Sequence, residues 1–285
     1  MMKGDIHMRL GGPVFKEYNN PEEWIKVLKE IGYSAAYCPV EANMGKDVIQ
    51  SYKKAAAQAN IVIAEVGAWS NPLSSDSTLR KQALEHCKTQ LTLAETIGAR
   101  CCVNISGSRG EQWDGPHIDN FTDETFDMIV ETVREILDAV KPDSTYYALE
   151  PMPWIFPDNA DDYLRLVKAI DRNGFGVHLD PVNVINSPRR FYNNSLMLKE
   201  WFTKLGPYIR SAHAKDIMLS GSLTVHLDEV RPGLGALDYQ TYITELHNLN
   251  PDIPMMIEHL NSEIDYIMGI KYIRDTAANI HIPII

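Results

Sequence analysis

Short apolar runs alternate along the whole chain with longer segments in which apolar residues recur every three or four positions. The first pattern predicts buried strands and the second predicts amphipathic helices. Their regular alternation is typical of βαβ units around a parallel sheet, so the chain is predicted to be an α/β protein. Eight strands are predicted, near residues 4–10, 33–38, 61–66, 99–105, 145–150, 175–180, 209–213 and 254–259.

Residues that favour helix ends flank several of the predicted helices. Asn20 and Pro21 precede the run EEWIKVLKEI as an N-cap and a first-turn proline, and Gly32 follows it. Asn173 and Gly174 are predicted to end the helix DDYLRLVKAIDR in the same way.

Eight strand-helix units predict a (β/α)8 TIM barrel that spans residues 1–285 as a single domain. A doubly wound open sheet is the alternative, but the glycine-rich phosphate loop typical of that fold is absent from the sequence. The loops that follow strands build the active face of a barrel. The longest irregular stretches all follow predicted strands: 66–78, 105–121, 151–160 and 214–237.

Composition and charge restrict the class of partner. The 285 residues are 45% hydrophobic and 23% charged, as in ordinary globular proteins, and carry a formal net charge of −11. This acidic balance disfavours nucleic acid, which is bound by basic surfaces. The sequence shows no signal peptide, no apolar run long enough to span a membrane and no disulfide pattern among its four cysteines. We therefore expect a cytoplasmic protein without membrane or nucleic-acid partners.

Acidic or imidazole side chains stand at the ends of four predicted strands: Glu150, Asp180, His213 and Glu258. Charges buried at such positions are costly, and three carboxylates close together repel one another. A bound dication removes both difficulties, so the four residues predict a metal site. Mn²⁺ is the expected ion and Mg²⁺, Co²⁺ or Zn²⁺ are alternatives. Buried ion pairs or helix caps are the competing explanation.

Three motifs, HLDPVN, HAKD and PGLGALDY, accompany these residues. With them the chain resembles the xylose isomerase-like TIM-barrel superfamily, in particular the sugar phosphate isomerase/epimerase group. In that group the first Glu, the Asp, the His and the last Glu bind one divalent metal, and they correspond to Glu150, Asp180, His213 and Glu258. The resemblance implies a carbohydrate substrate and proton transfer next to its carbonyl, through a metal-stabilised enediolate. It assigns Glu150 and Glu258 the catalytic roles of acid and base.

Four polar residues near the predicted ligands are candidates for substrate binding. His178 and Lys215 lie two positions from Asp180 and His213, so the period of a strand directs both towards the barrel interior. A core histidine, or a second-layer partner of a ligand, is the alternative for His178. Asn183 and Glu65 are the other two candidates, with a turn residue and a partner of a basic side chain as their alternatives.

Three tryptophans lie in predicted βα loops rather than in periodic helices: Trp69, Trp113 and Trp154. Because aromatic faces pack against the C–H groups of sugars, they are candidates for pocket walls. By contrast, His259 follows Glu258 directly and is predicted to face away from the site.

Two positions depart from the ketose 3-epimerases of the superfamily. Their substrate histidine is replaced here by Asn183 and their arginine by Leu219. The HAKD segment is closer to inosose dehydratase-type members, in which the same enolate would expel a β-hydroxyl. We therefore predict a sugar or sugar phosphate isomerase/epimerase, with a dehydratase of an inosose-like keto-polyol as the alternative. A noncatalytic sugar-binding barrel is a third interpretation. The presence of all four predicted metal ligands disfavours it.

Phosphorylation of the substrate and the oligomeric state are both left open by the sequence. Loose candidates for a phosphate site are Arg109, Arg189 and Arg190. The apolar tail IHIPII has two predicted partners, the barrel itself or the second subunit of a homo-oligomer.

Overall fold

The computed structural model describes residues 7–285 and contains a closed barrel of eight parallel strands. The ten strands within this described part of the chain are β1 (Arg9–Gly12), β2 (Ala35–Tyr37), β3 (Val62–Gly67), β4 (Cys101–Asn104), β5 (Tyr146–Leu149), β6 (Phe175–Leu179), β7 (Ile209–Ala214), β8 (Asp216–Leu219), β9 (Leu227–Val230) and β10 (Pro254–Ile257). Strands β8 and β9 form a separate hairpin, and the others close in the order β1, β10, β7, β6, β5, β4, β3, β2. The predicted barrel is therefore confirmed, and the open sheet is excluded. Residues 4–6 of the first predicted strand lie outside the described residues.

Nine α-helices lie within the described residues, mostly between consecutive barrel strands: α1 (Pro21–Ile31), α2 (Lys46–Ala59), α3 (Ser77–Ile97), α4 (Asp123–Val140), α5 (Ala160–Ile170), α6 (Pro188–Tyr192), α7 (Asn194–Leu205), α8 (Tyr239–Leu249) and α9 (Glu263–Asn279). None of these helices combines the length and the hydropathy that crossing a membrane requires.

The helix ends follow local chemistry, with one correction. The side chain of Asn20 accepts a hydrogen bond from the amide of Glu23, and Gly32 ends α1, as predicted. Helix α5 ends earlier than predicted, because Asp171 adopts the left-handed conformation (φ 51°) that was assigned to the Asn-Gly pair at 173–174. An aspartate tolerates this conformation better than most residues, which explains the earlier stop.

Alternation along the strands separates two packing layers. Cys102 belongs to the main hydrophobic core, which packs the helices on the sheet. Its neighbours Cys101 and Val103 belong instead to a small cluster with Ala148. Successive side chains of a strand point to opposite faces, so this small cluster lies inside the barrel. Both adjacent cysteines are thus buried packing residues.

The predicted irregular segment 214–237 contains the β8–β9 hairpin. Its strands pair antiparallel, with Asp216 opposite Val230. The carboxylate of Asp216 accepts hydrogen bonds from the amides of Gly233, Gly235 and Leu237 at 2.9, 3.0 and 2.9 Å. Asp216 therefore fixes the loop that returns from the hairpin to α8, and the hairpin has a defined position above the barrel.

The apolar tail packs against its own barrel. Met8 and Ile284 form a parallel bridge. The amide of Met8 donates to the carbonyl of Pro283 at 2.9 Å, and the amide of Ile285 donates back to Met8 at 3.2 Å. The tail thus contacts the start of the barrel, which is one of its two predicted partners.

Candidate metal centre

Four strands bring the proposed metal ligands together at the C-terminal end of the barrel. Glu150 directly follows β5, Asp180 follows β6 and Glu258 follows β10, whereas His213 is the penultimate residue of β7. Each of the four offers a ligand atom, and these atoms lie within 4.8 Å of one another. In the barrel β10, β7, β6 and β5 are consecutive neighbours, so the site draws on one half of the sheet.

His213 lies at the centre of this cluster. Its Nδ1 lies 2.7 Å from Oε1 of Glu258, 3.3 Å from Oε1 of Glu150 and 3.5 Å from Oδ2 of Asp180. Burial lowers the pKa of the imidazole, but the negative charges of Glu258 and Glu150 prevail and raise it well above 6.5. The surroundings of Nδ1 therefore strongly favour positive charge.

The ammonium of Lys215 lies among the same carboxylates. Its Nζ is 2.7 Å from Oε1 of Glu258 and 2.8 Å from Oδ2 of Asp180. Burial lowers the pKa of Lys215, but Asp180 and Glu150 raise it well above 10.5, so the side chain stays charged. The hydroxyl of Tyr239, from the PGLGALDY motif, donates a 2.8 Å hydrogen bond to the backbone carbonyl of Lys215. That contact fixes the backbone of the lysine directly after β7.

The donor set fits a divalent metal ion. Oδ2 of Asp180 and Oε1 of Glu258 are buried, and neither accepts a hydrogen bond of good geometry from the described residues. Burial raises the pKa of both carboxyls, but Lys215 and His213 lower it, to about 2 for Glu258, so both are ionised at neutral pH. Buried, ionised oxygens suit a cation, and the cationic groups nearest to them are Lys215 and His213, at 2.7 to 2.8 Å. Three carboxylates and one imidazole are ligands for Mn²⁺ or Mg²⁺ rather than for a thiolate-bound metal.

Glu65 and His178 form a second layer beneath the cluster. Oε1 of Glu65 lies 3.2 Å from Nε2 of His213, and its Oε2 lies 3.2 Å from Nδ1 of His178. Ser211 donates its hydroxyl to Oε2 of Glu65 at 3.1 Å. Burial raises the pKa of Glu65, but the two histidines lower it below its ordinary 4.5. His213 therefore presents one nitrogen to the ligand cluster and the other to a carboxylate, which fixes its ring.

Glu65 and His178, which are predicted substrate contacts, lie beneath the cluster. Their side chains are 2% and 0% exposed, and neither lines the pocket above the cluster. Strand alternation predicts the face of the sheet on which a side chain lies, but not its depth in the barrel. Both residues lie in the layer below the cluster, where they contact His213 or one another.

A pocket of about 460 Å³, here called the inner pocket, opens above the cluster. The predicted site residues that line it are Glu150, Asn183, Lys215, Glu258, Trp69, Trp113 and Trp154. The side-chain amide of Asn183 donates to Oε1 of Glu150 at 2.9 Å. The indole of Trp154 donates to the carbonyl of Asp114 at 2.6 Å, which fixes this wall.

Glu229 and His259 are among the lining residues of the inner pocket that were missed in the sequence. Glu229, on β9, lies 3.7 Å from Nζ of Lys215, and His259 lies 3.4 Å from the carboxylate of Glu229. His259 was predicted to face away, but its φ of 56° breaks the strand geometry directly after Glu258 and turns the ring towards the pocket. The register of the hairpin carries no sequence signal, so Glu229 was not recognisable.

The arginines considered for a phosphate lie elsewhere. Arg190 donates to the backbone carbonyls of Asp158 and Val184, and Arg109 packs against Met128. Neither lines the inner pocket, nor does Arg189. Within residues 7–285, no arginine contributes to its lining.

Solved structures with a similar fold include the following three. D-psicose 3-epimerase from Clostridium cellulolyticum H10, solved with D-tagatose, is 14% identical, with 98% of this chain and 100% of that chain covered and a TM-score of 0.67. A xylose isomerase-like TIM barrel protein from Mycobacterium smegmatis, solved with magnesium, is 15% identical, with 95% and 97% covered and a TM-score of 0.66. The probable 3-DHS dehydratase AsbF from Bacillus anthracis is 14% identical, with 93% and 97% covered and a TM-score of 0.68. At such identities the likeness concerns the fold.

Sequence comparison identifies the family. A search among curated proteins gives no significant match. The sequence model of the xylose isomerase-like TIM barrel family, however, matches residues 19–277, from the N-cap region of α1 to the end of α9. The chain therefore belongs to the xylose isomerase-like TIM barrel family.

Proposed function

We propose that this protein is a divalent-metal-dependent sugar isomerase or epimerase that moves a proton at the carbon next to a carbonyl. The observation that carries the proposal is the cluster of Glu150, Asp180, His213 and Glu258 at the base of the inner pocket. The sugar epimerase among the solved relatives supports the reaction class, and the magnesium-bound relative supports the metal.

The two glutamates of the cluster are the proposed proton carriers. Glu150 and Glu258 line the inner pocket, whereas Asp180 and His213 do not. A divalent ion held by the four residues would polarise the substrate carbonyl and stabilise the negative charge that develops on its oxygen. Glu150 and Glu258 are then the carboxylates that reach the substrate carbon, one to remove the proton and the other to return it.

Lys215 and Asn183 have supporting roles in this proposal. The ammonium of Lys215 is within reach of both the cluster and the pocket, where it binds a substrate oxygen. Asn183 holds Oε1 of Glu150 by its 2.9 Å hydrogen bond and so directs that carboxylate. Trp113 and Trp154 provide apolar walls for the C–H faces of a sugar.

The charges of the inner pocket favour an uncharged sugar over a sugar phosphate. Four carboxylates line it: Asp114, Glu150, Glu229 and Glu258. Within residues 7–285 no arginine lines it, so the pocket lacks the forked donor that commonly binds a phosphate group, and an uncharged sugar suits it better.

A dehydratase is the second candidate function. The fold of AsbF, a probable dehydratase, supports it, and so does His259 at the pocket wall. An imidazole there is placed to protonate a departing hydroxyl group, a step that an epimerase does not need.

The proposal is tested by incubating the Mn²⁺-loaded protein in D₂O with D-fructose, D-tagatose, D-psicose, fructose 6-phosphate and 2-keto-myo-inositol. Deuterium incorporation without loss of water supports the isomerase or epimerase, and a dehydrated product supports the lyase. We expect Glu150→Gln and Glu258→Gln to lose turnover by at least a thousandfold, as expected for removal of a catalytic acid or base. Glu131→Gln, an exposed change on α4, is the matched control.

Retained turnover in both variants would exclude the proton-carrier role. Metal analysis of the same preparations supplies a readout that is independent of activity. If the wild-type protein retains no divalent ion after dialysis against Mn²⁺ and removal of the excess, the metal-dependent mechanism is excluded.

A further inference from the structure

Two tryptophans connect the inner pocket to a second cavity. Trp69 and Trp113 line the inner pocket and also line an adjoining cavity of about 490 Å³, which we call the outer cleft. Their side chains are 45% and 39% exposed. Large apolar faces that are exposed together along one passage are typical of a binding surface.

One wall of the outer cleft is a face of α3. Leu79, Gln82 and His86 line the cleft and recur at intervals of three and four residues, which places them on the same side of the helix. Glu111, in the loop after β4, adds a carboxylate to the lining. An amide, an imidazole and a carboxylate are suitable partners for hydroxyl groups.

The position of the Trp69 indole depends on the glycine at position 67. A Cβ atom on Gly67, the last residue of β3, would collide with Nε1 of Trp69. The glycine therefore permits the indole to fold back over the strand end. This leaves Trp69 between the two cavities, with part of its surface exposed.

We propose that the outer cleft is a second sugar subsite and that the substrate is a glycoside. Its reacting ring binds above the ligand cluster, while an attached uncharged ring packs on Trp69 and Trp113 and bonds to Gln82, His86 and Glu111. The inference rests on the proposed function, which places the reacting ring in the inner pocket. Each cavity lies within the size range of ligand pockets, about 300–1,000 Å³, so each has room for one ring. A free monosaccharide would fill the inner pocket and leave the outer cleft to solvent.

The first test compares the binding of D-fructose with that of three fructose disaccharides. Turanose, lactulose and isomaltulose carry a second ring on O3, O4 and O6 of the ketose, so the set samples the direction of the linkage. Binding to the Mn²⁺-loaded protein is measured by tryptophan fluorescence and by titration calorimetry. We expect at least one disaccharide to bind tenfold or more tightly than D-fructose. If none of the three binds more tightly than D-fructose, the inference is overturned.

The second test locates the added ring. We expect Trp69→Ala to weaken the preferred disaccharide at least fivefold more than it weakens D-fructose, and Gln82→Ala to act in the same direction. Tyr192→Ala is the control, because Tyr192 is 75% exposed and lines neither cavity. A disaccharide preference that survives both Trp69→Ala and Gln82→Ala would place the second ring elsewhere and overturn the inference.

Failure of this inference differs from failure of the proposed function. Deuterium exchange into D-fructose without any preference for a disaccharide would retain the function and exclude the subsite. Tight binding of a disaccharide, lost in Trp69→Ala, without deuterium exchange into any sugar would retain the subsite and exclude the function.

Discussion

At the scale of single residues, His213 contacts the ligand cluster through one ring nitrogen and the layer beneath it through the other. Nδ1 faces the carboxylates of the cluster, and Nε2 lies 3.2 Å from Glu65. An imidazole that binds a metal through one nitrogen requires the proton on the other, and a buried carboxylate stabilises that tautomer. We therefore propose that Glu65 is a positioning residue that acts through His213.

We expect Glu65→Gln to lower the affinity for Mn²⁺ by about 10- to 100-fold, the usual effect of losing a carboxylate partner of a histidine ligand. Affinity is measured by titration calorimetry, and circular dichroism verifies the fold. Ser211→Ala is the matched control, because it removes one 3.1 Å hydrogen bond to Glu65 and leaves the carboxylate in place. Unchanged Mn²⁺ affinity in Glu65→Gln would exclude the positioning role.

At the scale of elements, buried or half-buried carboxylates accept hydrogen bonds from loop amides and so hold two loops against the helices and strands around the barrel. Asp216 does so for the loop that follows the hairpin, and Glu95 does so for the loop before β5. Glu95, on α3, accepts hydrogen bonds from the amide and hydroxyl of Ser144 and from the amide of Thr145. Burial raises the pKa of Glu95, but these donors prevail and lower it from 4.5.

The lowered pKa of Glu95 predicts a pH-dependent contribution to stability. Because the folded state prefers the ionised form, the contribution is complete above the unfolded-state value near 4.5 and is lost as the pH falls through the folded-state value. We expect Glu95→Gln to lower the free energy of unfolding by about 1 kcal/mol at pH 7. The difference from wild type should decrease towards pH 3.

Urea unfolding at the two pH values measures this effect, with Glu131→Gln as an exposed control on α4. A Glu95→Gln difference that is the same at pH 7 and pH 3 would contradict the assignment.

At the scale of the whole molecule, the four proposed metal ligands come from four consecutive strands of the closed sheet. A ligand that binds only the folded state stabilises it by mass action, by about 2.7 kcal/mol at a concentration 100 times its Kd. Because the four donors span half the barrel, they are brought together only in the closed sheet.

We therefore expect saturating Mn²⁺ to raise the melting temperature by several degrees and EDTA to reverse the rise. Differential scanning calorimetry measures the effect, and Glu258→Gln should lose most of it while Glu131→Gln keeps it. A melting temperature that does not depend on Mn²⁺ would argue against a metal site in this cluster.

The sequence was sufficient to predict the barrel because eight apolar runs alternate with well-capped helices. It also identified the four proposed ligands, since a charged residue at the end of a buried strand is conspicuous. It did not distinguish Lys215, beside the pocket, from Glu65 and His178, below it, because all three fit the same two-residue period. Glu229 and His259 depend on the pairing of a hairpin and on a positive φ, and neither is encoded in a hydrophobic pattern.

Lys215 and Asp216 are neighbours in the chain but point in opposite directions, one into the ligand cluster and the other into the loop after the hairpin. One peptide unit thus joins the ammonium at the inner pocket to the carboxylate that supports the loop after the hairpin. We expect changes in the hairpin that retain Asp216 and its three loop amides to leave Lys215 and the four proposed ligands in place, so this wall of the pocket can vary separately from the cluster.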